Sequence, residues 1–197
     1  MRPDLSVVAS MVRPGSRVLD LGCGDGDLLD ELIARRGCRG QGVEWSPEAF
    51  HACVARGIPV VADDLDRGLP DFADGSFDVV VLSQTLQAVR RPVPVLREMM
   101  RVGRVGVVSF PNFGHWSTRA RLLTRGRMPV TRALPYEWHE TPNIHLCTIA
   151  DFERLARAEG LTVVERRLLG ADGAPAPARA ERRPNLLAAG AAFLLRR

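Results

Sequence analysis

Apolar and polar positions along the chain switch repeatedly between two periods. Residues 4–12 read as a short helix, and 16–21 then form an apolar run of strand length. From Leu28 the spacing turns helical through Leu29, Leu32 and Ile33 and carries on to about Arg36. A second strand is predicted over 39–44, followed by a helix that Ser46 caps and Pro47 begins. Residues 58–62 form a third strand, which ends in Asp63-Asp64-Leu65-Asp66. Phe77-Asp78-Val79-Val80-Val81-Leu82 is the strongest strand signal, and a helix near 93–102 and a strand at 105–110 follow it. Alternation of this kind implies right-handed crossovers and an α/β fold, a doubly wound and mostly parallel sheet.

The regular pattern stops between Pro111 and Cys147. That stretch holds two of the three Trp, the only Tyr and three of the four His. Regularity returns with a helix at 149–159, for which Thr148 is the expected cap, and strands at 161–169 and 186–195. Gly170 to Pro184, rich in Ala, Pro and Arg, reads as a flexible hairpin loop. A chain of 197 residues that is 46% hydrophobic can bury one ordinary core, so a single domain is expected, with an irregular lid or docking segment at 111–147.

Composition narrows the function classes. There is no apolar run long enough to span a membrane, and the first residues lack the apolar core of a secretory signal. Cys23, Cys38, Cys53 and Cys147 form no Cys-x-x-Cys pair, so no metal site or disulfide framework is expected, and a cytoplasmic location fits. The net charge of +4 is carried by 27 basic residues that are all Arg, which points to coding bias more than to a nucleic-acid surface. Arg119, Arg121, Arg125, Arg127 and Arg132 do cluster, as a solvated face or as a surface for a partner or acidic substrate. A nucleic-acid binder would show a longer basic stripe.

Candidate chemistry lies at the ends of the strands, where ligands bind in open α/β sheets. Val18-Leu19-Asp20-Leu21 runs into Gly22-Cys23-Gly24-Asp25-Gly26, and glycine at every second position lets backbone approach a ligand closely. A dinucleotide site would need Gly-x-Gly-x-x-Gly, but position 27 is Asp. With Asp25 and Asp27 at the helix start, a pyrophosphate is disfavoured and a cationic cofactor such as S-adenosylmethionine (SAM), or its product S-adenosylhomocysteine, is preferred. Glu44, closing the second strand, suits a ribose diol. Trp45 lies against adenine or packs on the sheet. Asp64 and Leu65 form the adenine end of the pocket or an ordinary turn. Ser83, closing the fourth strand, contacts the methionine end of the cofactor or caps a helix.

The irregular segment offers Asn112, His115, Trp116, Tyr136, Trp138 and His145 as partner or substrate contacts. It reads equally as a cover packed over the sheet edge. His115, His139 and His145 are possible general bases, and their spacing matches no metal signature. No catalytic residue is assigned, because methyl transfer can run on proximity and orientation alone.

Taken together, the acidic glycine loop, the ribose acid and the adenine acid resemble the class I SAM-dependent methyltransferases over residues 15–110. The resemblance implies a seven-stranded sheet whose last two strands form an antiparallel hairpin. The motifs of base-amino and cytosine-C5 methyltransferases are missing: Ser83-Gln84-Thr85-Leu86 replaces the first, and no Cys follows Pro. Ser109-Phe110-Pro111-Asn112-Phe113-Gly114-His115-Trp116, Gly126-Arg127-Met128-Pro129-Val130 and Thr141-Pro142-Asn143-Ile144-His145-Leu146-Cys147-Thr148 are more distinctive. With Pro14 to Gly26 and Ser76 to Gln87, they resemble the MetW family of methionine biosynthesis. That resemblance implies a bacterial accessory protein that partners homoserine O-acyltransferase (MetX). The alternative is an active methyltransferase on a small metabolite. The chain departs from the family at Trp45-Ser46, where an aliphatic residue and Asp are more usual, and at His139-Glu140 in place of Tyr-Asp.

Overall fold

The computed structural model describes residues 2–131 and 134–197. Arg132 of the basic cluster lies outside the described residues. The elements run α1 (Pro3–Met11), β1 (Arg17–Leu21), α2 (Asp27–Arg36), β2 (Arg39–Glu44), α3 (Pro47–Ala55), β3 (Val60–Ala62) and β4 (Phe77–Ser83). There follow α4 (Pro92–Val102), β5 (Gly103–Pro111), α5 (Trp116–Arg125), α6 (Ile149–Ala158), β6 (Thr162–Leu169), α7 (Pro184–Leu187) and β7 (Gly190–Arg196). One seven-stranded sheet has the order β3-β2-β1-β4-β5-β7-β6. All pairs are parallel except those of β7, which runs antiparallel to both β5 and β6.

Successive strand residues point to opposite faces, and both faces are covered. Val79, Val81 and Val107 pack with Leu5, Val8, Met11, Leu28 and Leu32 of α1 and α2. Their neighbours Val80, Leu82 and Val108 pack on the other side with Leu96, Met99 and Phe152 of α4 and α6. There Phe110, Phe152 and Phe193 form a cluster with ring centroids 4.8–5.8 Å apart. Two-sided burial explains why β1, β4 and β5 read as continuous apolar runs.

The caps form as expected. Ser46 Oγ accepts from Ala49 N, and Thr148 and Asp151 form a reciprocal capping box. Two expectations change. Within the stretch expected to be irregular, residues 116–125 are a helix, α5. Thr118 is its only buried residue, so no core-facing apolar period announces it. The last strand begins at Gly190 instead of 186, because Pro184 starts a helical turn through Leu187. The 170–184 segment carries a 3-10 helix at Ala178–Arg182, with Ala180 fully buried and Arg166 bridging Glu153 and Glu181.

Candidate functional site

β1 and β4 lie side by side at the point where strand order reverses, and their carboxyl ends frame a cavity of about 300 Å³. Asp20, Gly22, Cys23, Gly24 and Ser83 line it together with Asp25, Asp27, Gln84 and Thr85. Arg2 and Leu5, at the start of α1, close one side; nothing in their local spacing marked them as site residues.

The three glycines of the turn all have positive φ but do different work. A Cβ on Gly22 would stand 2.6 Å from the Thr85 side chain, and one on Gly26 would stand 2.5 Å from Ile58. Gly26 therefore serves packing of α3 and its following loop against the turn, outside the cavity wall. Gly24 faces open space, with nothing within 4 Å of its Cβ position. Its N–H donates to Glu44 Oε2 at 2.8 Å, while Glu44 Oε1 accepts from Trp45 N and Ser46 N. The carboxylate is thereby held in one orientation, and its oxygens keep lone pairs for further donors.

Asp20 is 2% exposed, and its Oδ1 has no hydrogen-bond partner. Burial, with the Glu44 charge adding to it, pushes its carboxyl up to about 7. Cys23 is also buried, its Sγ 3.9 Å from that of Cys53, and burial first and the Asp20 charge second push its thiol far up. It is an inert wall, not a nucleophile. Arg56, at the end of α3, pairs with Asp27 at 2.9 Å and Asp30 at 3.0 Å on α2. Asp20 and Asp25 are left as the acids of the wall without an ion pair among the described residues. Gln84, beside Ser83, is the only non-glycine with positive φ among the described residues, at 55°. Ser83 Oγ lies 2.9 Å from Ser109 Oγ.

Glu44, Trp45, Asp64 and Leu65 stand at the ends of β2 and β3, outside the residues that line the cavity, and Glu44 meets the wall through its bond to Gly24 N. Trp45 is 69% exposed, so it does not pack on the sheet. Asp64 Oδ1 accepts from Asp66 N at 3.0 Å and caps a 3-10 helix at Leu65–Arg67, while Leu65 packs against the core. An unpartnered buried carboxylate and a bare glycine backbone fit a cationic cofactor better than a pyrophosphate. Asp20, Gly22, Gly24 and Glu44 could hold SAM.

A second cavity of about 430 Å³ shares Arg2 and Gln84 with the first and is lined by Gln87, Tyr136 and Asn143 among others. Of the expected surface contacts, Asn112 proves to be interior. It is 2% exposed, its Nδ2 donates to Asn185 O and Ala188 O, and its Oδ1 accepts from Gly114 N and Ile149 N. No hydrogen-bonding capacity remains for a partner. His115 caps α5 through Nδ1, and burial lowers its pKa, which keeps the ring neutral. His145 is half-buried, its N–H donating to Gln87 O at 3.0 Å. Trp116, Tyr136 and Trp138 are exposed.

The family model for methionine biosynthesis protein MetW matches residues 2–195. The chain belongs to the MetW family. A relative from Rhodopirellula baltica, bifunctional methionine biosynthesis protein MetXA/MetW, is 42% identical over 77% of the chain, which spans 26% of that protein's length. Ubiquinone biosynthesis O-methyltransferase of Ralstonia nicotianae is 31% identical over 74% of the chain and 63% of its own length. An S-adenosylmethionine-dependent methyltransferase from Mesorhizobium loti superposes with a TM-score of 0.71 at 20% identity, covering 98% of this chain and 96% of its own. The chain thus has the class I methyltransferase fold. Among the described residues no helix is long and apolar enough to cross a membrane.

Proposed function

We infer that this MetW-family chain binds SAM and acts as an accessory partner of homoserine O-acyltransferase, raising that enzyme's activity. The observation that carries this reading is the 42% identical relative whose name joins MetXA and MetW in one bifunctional protein. Two proteins that occur fused in one relative are good candidates to associate as separate chains in another. In support, exposed Trp116 and Trp138 lie outside the walls of the cofactor cavity, so both sites can be engaged at once. Asp20, Gly22, Cys23, Gly24 and Ser83 take the methionine half of SAM, Glu44 the ribose, and Asp64, Leu65 and the exposed face of Trp45 the adenine. Asp20 meets the cofactor's positive charge, and Glu44 accepts from the diol. Gly26 supports the turn from behind.

The test is to mix the chain with homoserine O-acyltransferase and measure complex formation and acyl transfer, with and without SAM. A complex with raised acyltransferase activity supports the reading; neither effect overturns it. A second reading, methyl transfer to a small metabolite in the cytoplasm, is favoured by the cavity that adjoins the cofactor site through Arg2 and Gln84. Production of S-adenosylhomocysteine in the presence of cell extract separates the two.

A further inference from the structure

Several arginines elsewhere in the chain are paired with acids: Arg17 with Asp78, Arg56 with Asp27 and Asp30, Arg101 with Glu98, Arg166 with Glu153. Arg121 and Arg125 of α5 and Arg127 just beyond it lie close together, with no acid paired to them among the described residues. All three are exposed, and among the described residues none forms an ion pair. Arg121 and Arg125 stand one helical turn apart, a spacing at which like charges repel. The Arg121 guanidinium is held by a hydrogen bond from Nη1 to Val130 O at 2.5 Å.

These arginines line a groove of about 720 Å³ between the end of α5 and the loop that follows it. Its other walls include Met128, Val130 and Trp138, exposed by 39%, 39% and 72%, and Leu123 on α5 is 88% exposed. Small-molecule pockets bury most of their ligand, and walls this open do not enclose one. Contiguous apolar surface rimmed by charge is the mark of a protein contact, and aromatic, Met and Arg side chains are those enriched in such contacts. A nucleic acid fits less well, because Glu137 adds a carboxylate to the wall and Trp138 is the one aromatic ring in it among the described residues.

We propose that this groove docks an acidic segment of the acyltransferase partner, its Asp or Glu side chains pairing with Arg121, Arg125 and Arg127 while an apolar side chain packs on Met128 and Trp138. The inference rests on the partnership stated above and assigns it a place and a chemistry. The occupant neutralises a charge cluster that the chain leaves open and covers the apolar surface beside it.

The test is titration of the intact acyltransferase against the wild-type chain, the double reversal Arg121→Glu/Arg125→Glu, and Trp138→Ala, at low and high salt. The double reversal is expected to weaken the complex by about a hundredfold at low salt and to remove most of its salt dependence. Trp138→Ala is expected to weaken it by about tenfold at both salts. SAM affinity and the melting temperature, read on the same samples, are expected to stay unchanged. If the wild type binds and the variants bind equally well, the groove is not the dock, while the partnership stands. If the wild type does not bind at all, the partnership itself fails and the dock with it. If a fluorescent single-stranded RNA binds the wild type, is lost in the double reversal and is displaced by no acyltransferase, the groove is a nucleic-acid surface and the proposal is overturned.

Discussion

The Gly24 N–H donates to Glu44 Oε2 at 2.8 Å, tying the turn after β1 to the residue that ends β2. Two positions 20 residues apart in sequence are thus joined, Gly24 in the cavity wall and Glu44 hydrogen-bonded to it. The Glu44 carboxylate is fixed by three backbone N–H groups before any ligand arrives.

Glu44→Ala is expected to weaken SAM binding by about 1.5–3 kcal/mol, the worth of hydrogen bonds to a charged group. Calorimetric titration reads this directly. Glu44→Gln, which keeps the shape and one acceptor, should lose less.

Asp20 makes binding and stability depend on pH in opposite senses. Its carboxyl is raised from 3.8 to about 7, so the folded protein disfavours the charged form. The resulting loss of stability is absent below about pH 4 and grows as pH rises through 7. Asp20→Asn should therefore stabilise the cofactor-free protein at pH 8, by at most on the order of 4 kcal/mol, and leave it nearly unchanged at pH 4. Urea unfolding at the two pH values checks it. The same variant should bind SAM more weakly, and wild-type affinity for SAM should fall as the pH drops below about 7 and Asp20 takes up a proton.

The glycines of the turn should separate folding from binding. Gly24→Ala meets no neighbour, so it should cost only about 1–2 kcal/mol for its left-handed backbone and yet lose cofactor affinity. Gly22→Ala collides with Thr85 and should unfold far more readily, with partial recovery in Gly22→Ala/Thr85→Ala. Thermal melts and SAM titrations on the three variants distinguish the two effects.

Asn112→Ala should cost about 3–5 kcal/mol in chemical denaturation, because it strands two carbonyls and two N–H groups in the interior. Trp138→Ala should stay within about 0.5 kcal/mol of wild type, as an exposed side chain does.

The strands were legible in the sequence because β1, β4 and β5 are buried on both faces and so spell continuous apolar runs. The caps at Ser46 and Thr148 were legible because their chemistry is local. α5 was hidden: its few apolar residues, Trp116 and Leu123 among them, face outward, and Thr118 is its only buried position, so no stripe of core residues marks it. For Asn112 the sequence left a partner contact and a packed cover open, and the second holds through Asn185 O and Ala188 O, 73 and 76 residues further along the chain. The pocket followed the same division. Asp20, Gly22, Gly24 and Ser83 sit on strand ends and could be placed from the pattern, whereas Arg2 and Leu5 reach the cavity only through the docking of α1.

β7 is inserted between β5 and β6, hydrogen-bonded to both. β6 precedes it in the chain but has no seat on the sheet until β7 is in place. During synthesis the ribosome must therefore deliver Gly190–Arg196 before this edge of the sheet can close, while β1 to β5 can already assemble. Until that moment one edge of β5 waits unpaired, and Phe152 of α6 has Phe110 but not Phe193 to pack on. The late-made strand acts as a latch, and cutting it away should release a growing chain into aggregation instead of merely shortening the sheet by one strand.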